Sequence, residues 1–384
     1  MAYVVTALLI DPGFFLWYKL IRKAKEPLHM GKYRFVIFPL LLFFLSQLSL
    51  WAAPTKIIWS VSSFGEDDYF HRPSDIEVDH QRSLIYIADS GNNRVLVFDF
   101  DGKLLRIVGR EGHGPAEFSR PTGLYIFEDG RLAVADHHNR RIQVFDKSWE
   151  FVRLISAKTV GVADLIFLDD RIYTISIYGS SGYSPDIRSE KETQPLVNVL
   201  DQEGDVIQSI SVDDFPESHP FLRAIKHRVC MTLSKQRKLF LPHFAMNVIH
   251  VFDLNGNKIG EFDRPLPYKP GAPELVHQSS DKDGIIRMQA TMDMVTKDAK
   301  IGPDGHLYLL TFKESYMKRS KEKDVDSPPP PPMRVDVIDT QTHKLLRSID
   351  IDAGARSFSV LDKNRLVYVY EDNEGELFLK CIQY

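Results

Sequence analysis

From about residue 56 to the C-terminus, short apolar runs rich in Val, Ile, Leu, Phe and Tyr alternate with Gly, Asp and Asn. Runs of roughly four to eight such residues between turn formers read as β-strands rather than helices. The pattern nearly repeats. Arg72-Pro73 opens a stretch that continues through Ile85-Tyr86-Ile87-Ala88-Asp89 and Asn93-Arg94-Val95 to Val97-Phe98-Asp99. Arg120-Pro121 opens the next, through Leu132-Ala133-Val134-Ala135-Asp136, Asn139-Arg140 and Ile142 to Val144-Phe145-Asp146. Both the Ala-Asp and the Phe-Asp pairs recur after 47 residues. One such unit cannot bury its own apolar face, so a β-rich repeat of this length must stack against neighbours.

Later units follow the same plan more loosely. The third contains Arg171–Ile175 and Leu196–Asp201, the fourth Arg228–Leu233 and Val248–Asp253. The fifth pairs His306–Thr311 with Arg334–Asp339, and the sixth has Ser357–Val360, Leu366–Tyr370 and Leu377–Ile382. That last unit is one strand short, and Lys56–Val61 at the front can supply it. The expectation is an all-β, six-bladed β-propeller of four-stranded antiparallel blades, closed by the N-terminal strand at about 56–61, which leaves no open ring edge.

The motif Arg-Pro, Ala-Asp, Asn-x-Arg-Val/Ile-x-Val-Phe-Asp resembles the NHL repeat, specifically over residues 64–155 and weakly afterwards. That resemblance implies a six-bladed ring of the kind used to bind protein or nucleic acid; some relatives of similar shape are metal-dependent lyases or lactonases.

Turns joining first to second and third to fourth strands are short, as at Asp101-Gly102 and Asn255-Gly256. The long insertions, 178–195, 213–226, 264–291 and 315–332, all fall on the opposite face. Binding residues concentrate on loops of a rigid scaffold, so this face is the expected ligand face. On it, His137, His138, Arg140, Arg141 and His243, with Tyr178 and Tyr183, are the candidate ligand-binding residues, suited to a phosphate or carboxylate. Asp89 and Asp136 read as turn builders that accept backbone N–H bonds, and Arg94 and Arg140 as their local partners. Phe70 and Phe118 read as hydrophobic pins between blades.

Residues 30–52 combine Lys32 and Arg34, an apolar run and a small-residue end, Ala52-Ala53. They read as a signal peptide or, through residues 35–51, a membrane anchor. Residues 1–29 then read as an upstream extension from a misassigned start, and residues 53–384 as the ring. The expected location is periplasmic or extracellular. A net charge of −4 argues against nucleic acid as a partner. Two cysteines, Cys230 and Cys381, lie in different units and do not suggest a disulfide framework; each reads as a small buried hydrophobe.

No nucleophile elbow, P-loop or zinc signature is present. The sequence therefore points to an exported, monomeric, non-catalytic scaffold for a protein or small extracytoplasmic ligand, with no cofactor and membrane contact only through the N-terminal segment. The alternative is a metal-assisted lyase or hydrolase, using Ca²⁺ or Zn²⁺ at the axial mouth of the same face.

Overall fold

The computed structural model describes residues 55–65, 68–157, 162–176, 195–212, 228–280, 286–315, 317–318 and 330–384. The N-terminal segments 1–29 and 30–52, the insertions 178–195 and 213–226, and most of 315–332 lie outside the described residues. Six four-stranded antiparallel sheets form the blades, as the repeat predicts. Blade one comprises β2 (Pro73–Asp79), β3 (Leu84–Asp89), β4 (Arg94–Asp99) and β5 (Leu104–Val108); blade two comprises β6 (Pro121–Ile126), β7 (Leu132–Asp136), β8 (Arg141–Phe145) and β9 (Phe151–Ser156). In the last blade β1 (Lys56–Val61) pairs with β26 (Leu377–Gln383), Lys56 opposite Gln383 and Val61 opposite Leu379. The N-terminal strand therefore closes the ring, with Trp59 Nε1 donating to Phe100 O at 2.9 Å to tie it to blade one.

The apolar alternation has a direct reading. Most inner-strand residues are buried, whereas the outermost strands expose apolar side chains; β5 exposes Leu105 and Ile107 while burying Val108. Six apolar clusters lie between successive blades. Tyr86, Val97, Phe118, Leu124, Val134 and Phe145 fill the gap between blades one and two. Phe70 joins Ile76, Phe98, Val367 and Cys381 between blades six and one. Phe118 and Phe70 are thus pins, and Phe118 requires Gly109 beneath it. Gly109 has φ of +86°, and a Cβ there would meet the Phe118 ring at 2.2 Å.

The recurring Asp after the third strand of blades one to four starts the hairpin. Asp99 Oδ1 accepts the N–H groups of Asp101 (3.0 Å) and Lys103 (2.9 Å). Asp146, Asp201 and Asp253 make the same pair of bonds in blades two to four, and Asp372 makes it after the second strand of blade six. This self-satisfied loop explains why the hairpin face is short everywhere. On the opposite face, part of the 264–291 insertion forms a β-hairpin of its own, Glu274–Ser280 paired with Ile286–Thr291. Blade four departs from expectation. Its innermost strand is only Thr232–Leu233, preceded by an isolated bridge from Val229 to His243.

Candidate functional site

Blades one and two carry the same staple. Asp89 and Asp136 end β3 and β7 and are fully buried. Asp89 Oδ1 accepts the N–H of His71 at 2.7 Å, and Oδ2 accepts Asn92 Nδ2 and Arg94 Nε, both at 2.9 Å. Asp136 does the same with Ser119 N (2.7 Å), Asn139 Nδ2 (2.8 Å) and Arg141 Nε (2.6 Å). The accepted backbone N–H belongs to the connector from the preceding blade, not to the adjoining turn, so each carboxylate also fixes the blade before it. Burial raises the Asp89 pKa against the pull of these bonds. At Arg94 burial disfavours the charge, but the bonds to Asp68 and Asp89 outweigh it and its pKa rises.

This staple corrects the repeat alignment by one residue. Asn92 matches Asn139 and Arg94 matches Arg141, each pair 47 residues apart, while Arg140 stands in the place of Asn93. Asn93 and Arg140 both adopt left-handed backbone, φ of +54° and +50°, as caps of the 3₁₀ turns Ser90–Asn92 and His137–Asn139. Consequently Arg140 is exposed and makes no staple. Arg141 is buried, and its guanidinium also donates to the carbonyls of His113, Gly114 and Glu117. Its expected ligand-binding role is therefore structural instead: every arm of the guanidinium is already committed.

The other expected ligand residues separate. His138 is exposed, and its ring lies 3.4 Å from Arg120 Nη1; His137 is half-buried with Nδ1 3.1 Å from Val162 O. Burial lowers the pKa of both, with the Arg120 charge adding to it, so both rings favour the neutral form. His243 is fully buried against the His250 ring, away from this surface. Tyr178 and Tyr183 lie outside the described residues. Arg120, not anticipated as a ligand residue, lies beside His138; it and Arg72, its counterpart in blade one, stand at φ of +56° and +52° just before β6 and β2. Arginine in left-handed backbone is uncommon, and such strain concentrates at functional sites. The signal was present in the recurring Arg-Pro pair.

A second cluster lies on the ring axis. The innermost strands of blades three and five are β10 (Val162–Leu168) and β20 (Thr296–Ile301). In blades one, three and five the inner strand has a bulge, and each bulge ends on an aspartate: Asp75, Asp164 and Asp298. Small residues take this position in the alternate blades: Gly123, Cys230 and Ser357. Gly123 has no room for a side chain, since a Cβ would fall 2.7 Å from the Asp164 backbone. Asp75 Oδ2 accepts Leu124 N from the next blade at 2.8 Å, and Asp298 Oδ2 accepts Ser357 Oγ at 2.6 Å. One layer deeper, Lys300 Nζ reaches Asp75 Oδ1 at 2.8 Å and Glu77 Oε1 at 2.6 Å.

These groups titrate together. Burial pushes Glu77 up to about 7, with Lys300 opposing and Asp75 reinforcing the shift. Burial and the Asp75 charge hold the Asp164 carboxyl well above the usual range. At Lys300 burial disfavours the charge, yet the surrounding carboxylates outweigh it and keep the ammonium protonated. Burial also raises the Cys230 thiol, with Asp298 and Asp164 adding to it. Cys230, expected to be a small buried hydrophobe, is half-buried beside this cluster, and both cysteines are free thiols. Of the axial acids only Asp164 stood out in sequence, as a lone polar residue in the apolar strand β10; β2 and β20 carry several polar residues each. Among the described residues, no group of three His, Cys, Asp or Glu side chains is arranged to hold a metal ion.

The geometry defines a propeller with a charged axis and, on its connector face, Arg120 beside His138. Residues 66–264 match the family DUF5128, described as a 6-bladed beta-propeller, and the chain belongs to that family. No curated protein matches the sequence. Among solved structures, a member of the DUF4221 family from Bacteroides vulgatus is similar at 9% identity and TM-score 0.56, over 86% of this chain and 98% of that one. Virginiamycin B lyase from Staphylococcus aureus is 11% identical at TM-score 0.48, over 86% of this chain and 100% of that one. At such identities the likeness shows the fold alone.

Proposed function

We propose that this chain is an exported, non-catalytic scaffold that binds an anionic group of a protein or small extracytoplasmic ligand on its connector face. The observation that carries this reading is Arg120, held in left-handed backbone with Nη1 3.4 Å from the His138 ring, together with Arg140 on the same turn as His138 and Arg72 at the equivalent connector of blade one, both also in left-handed backbone. Arginine is suited to phosphate and carboxylate because its planar fork donates two parallel bonds. The NHL-like repeat pattern of residues 64–155 and the sequence position of the long insertions, between second and third strands or between successive blades, support a binding role. Export rests on the apolar segment 30–52, and a monomeric ring needs no second copy to supply these residues.

The test is retention on phosphocellulose at pH 7. A chain of net charge −4 is held only if a local basic patch outweighs its overall charge. The wild-type chain should be retained at low salt, and Arg72→Glu/Arg120→Glu/Arg140→Glu should flow through. Equal elution of the two would sink the reading. The alternative, a metal-assisted lyase or hydrolase at the axial mouth, would need the axial carboxylates to converge on a metal, and among the described residues no three of them do. It has to accommodate Lys300 among them.

A further inference from the structure

The axis concentrates four carboxylates, Asp75, Glu77, Asp164 and Asp298, around one ammonium. Oxygens clustered this way ordinarily attract a hard cation such as Ca²⁺, which takes six to eight oxygen ligands. Their present engagements do not fit one. Asp75 Oδ1 takes both Lys300 Nζ and Ile76 N at 2.8 Å, and Asp75 Oδ2 takes Leu124 N. Asp298 spends Oδ1 on Ala299 N at 2.7 Å and Oδ2 on Ser357 Oγ and Phe358 N. Asp164 Oδ1 accepts Leu165 N at 2.8 Å, and Glu77 Oε1 accepts Lys300 Nζ.

We propose that Lys300 is a tethered counter-ion: its ammonium, held by Asp75 and Glu77, supplies the positive charge that the acidic inner strands would otherwise draw from a divalent cation, so this axis is closed to metal by one of the protein's own side chains. A lysine ammonium is a compact point charge with three donors on a flexible stem, the side chain best able to replace a small ion. It has the reach, since it extends from β20 of blade five to β2 of blade one, past blade six. It also joins residues 225 apart in sequence, which makes it a brace for the closed ring. Blades one and five thus share a charge interaction that neither backbone pairing nor apolar packing supplies.

The inference predicts that removing the ammonium exposes a latent cation site. The melting temperature of the full-length chain is measured in EDTA and then with 1 mM Ca²⁺ alone, on the scale of about a millimolar affinity found for weak protein calcium sites. The wild-type chain should show no shift. Lys300→Met leaves buried carboxylates without their partner, so its melting temperature in EDTA should fall by on the order of 5 °C, and Ca²⁺ should restore most of the loss. Adding Asp164→Asn to Lys300→Met should abolish that restoration.

A rise in the wild-type melting temperature with Ca²⁺, or a Lys300→Met variant that neither loses stability nor responds to Ca²⁺, overturns the proposal. If Lys300→Met does not fold in EDTA, recovery of its circular dichroism spectrum on adding Ca²⁺ supports the proposal. Failure to recover, with a wild-type chain that does respond to Ca²⁺, refutes it. Glu77→Gln, which keeps the Asp75–Lys300 pair, should stay insensitive to Ca²⁺; a gained response counts against the tethered ammonium. None of these outcomes depends on the connector-face arginines.

Discussion

Replacing Asp136 by alanine tests the staple that sets blade two. Its carboxylate has no exposure and accepts Ser119 N, Asn139 Nδ2, Arg141 Nε and, at 3.2 Å, Gln143 Nε2. Truncation leaves the Arg141 charge buried without its counter-ion, a loss of about 3–5 kcal/mol for a broken buried pair. For the 330 residues from 55 to 384, an unfolding entropy of about 2.1 cal/mol/K per residue gives roughly 0.7 kcal/mol/K. The melting temperature should therefore fall by about 4–7 °C. Asp136→Asn, which keeps one carbonyl acceptor, should lose less. Asp129→Ala breaks the exposed Asp129–Arg131 pair and should change the melting temperature by about 1 °C or less. The assay is thermal unfolding followed by circular dichroism. If Asp136→Ala behaves like Asp129→Ala, the buried staple does not contribute as argued.

Glu77 makes stability depend on pH. Its folded pKa is raised from 4.5 to about 7, so between those values the folded chain holds a proton that the unfolded chain releases. Its stabilising contribution is complete below about 4.5 and is lost as pH rises through 7. The difference in melting temperature between wild type and Glu77→Gln should therefore change across pH 4.5–8, and a constant difference would contradict the assignment. Deleting β1 leaves Leu377–Gln383 as an open edge and removes the Trp59 tie to blade one. Light scattering should then show concentration-dependent association absent from the intact ring.

Much of the architecture was legible because it is periodic. Strand alternation, the 47-residue spacing and the missing last strand together require a closed ring of six blades. The Phe-Asp hairpins and the pins Phe70 and Phe118 are local or nearest-neighbour features, which a repeat exposes directly. The staple was legible in kind, and the 47-residue period that pairs Arg94 with Arg141 also gave its register; what the sequence did not show is that Arg140 turns outward in left-handed backbone while Arg141 turns into Asp136.

The axial cluster was not legible. Asp75, Asp164 and the Asp298–Lys300 pair sit far apart in sequence, on three different inner strands. Only ring closure brings them to one point, where desolvation and mutual charge reset their protonation. Local pattern determines which residues form strands and turns; which charges meet, and which of them stay charged, is decided by the tertiary structure, because electrostatic energy depends on distance and solvent exclusion rather than on order along the chain.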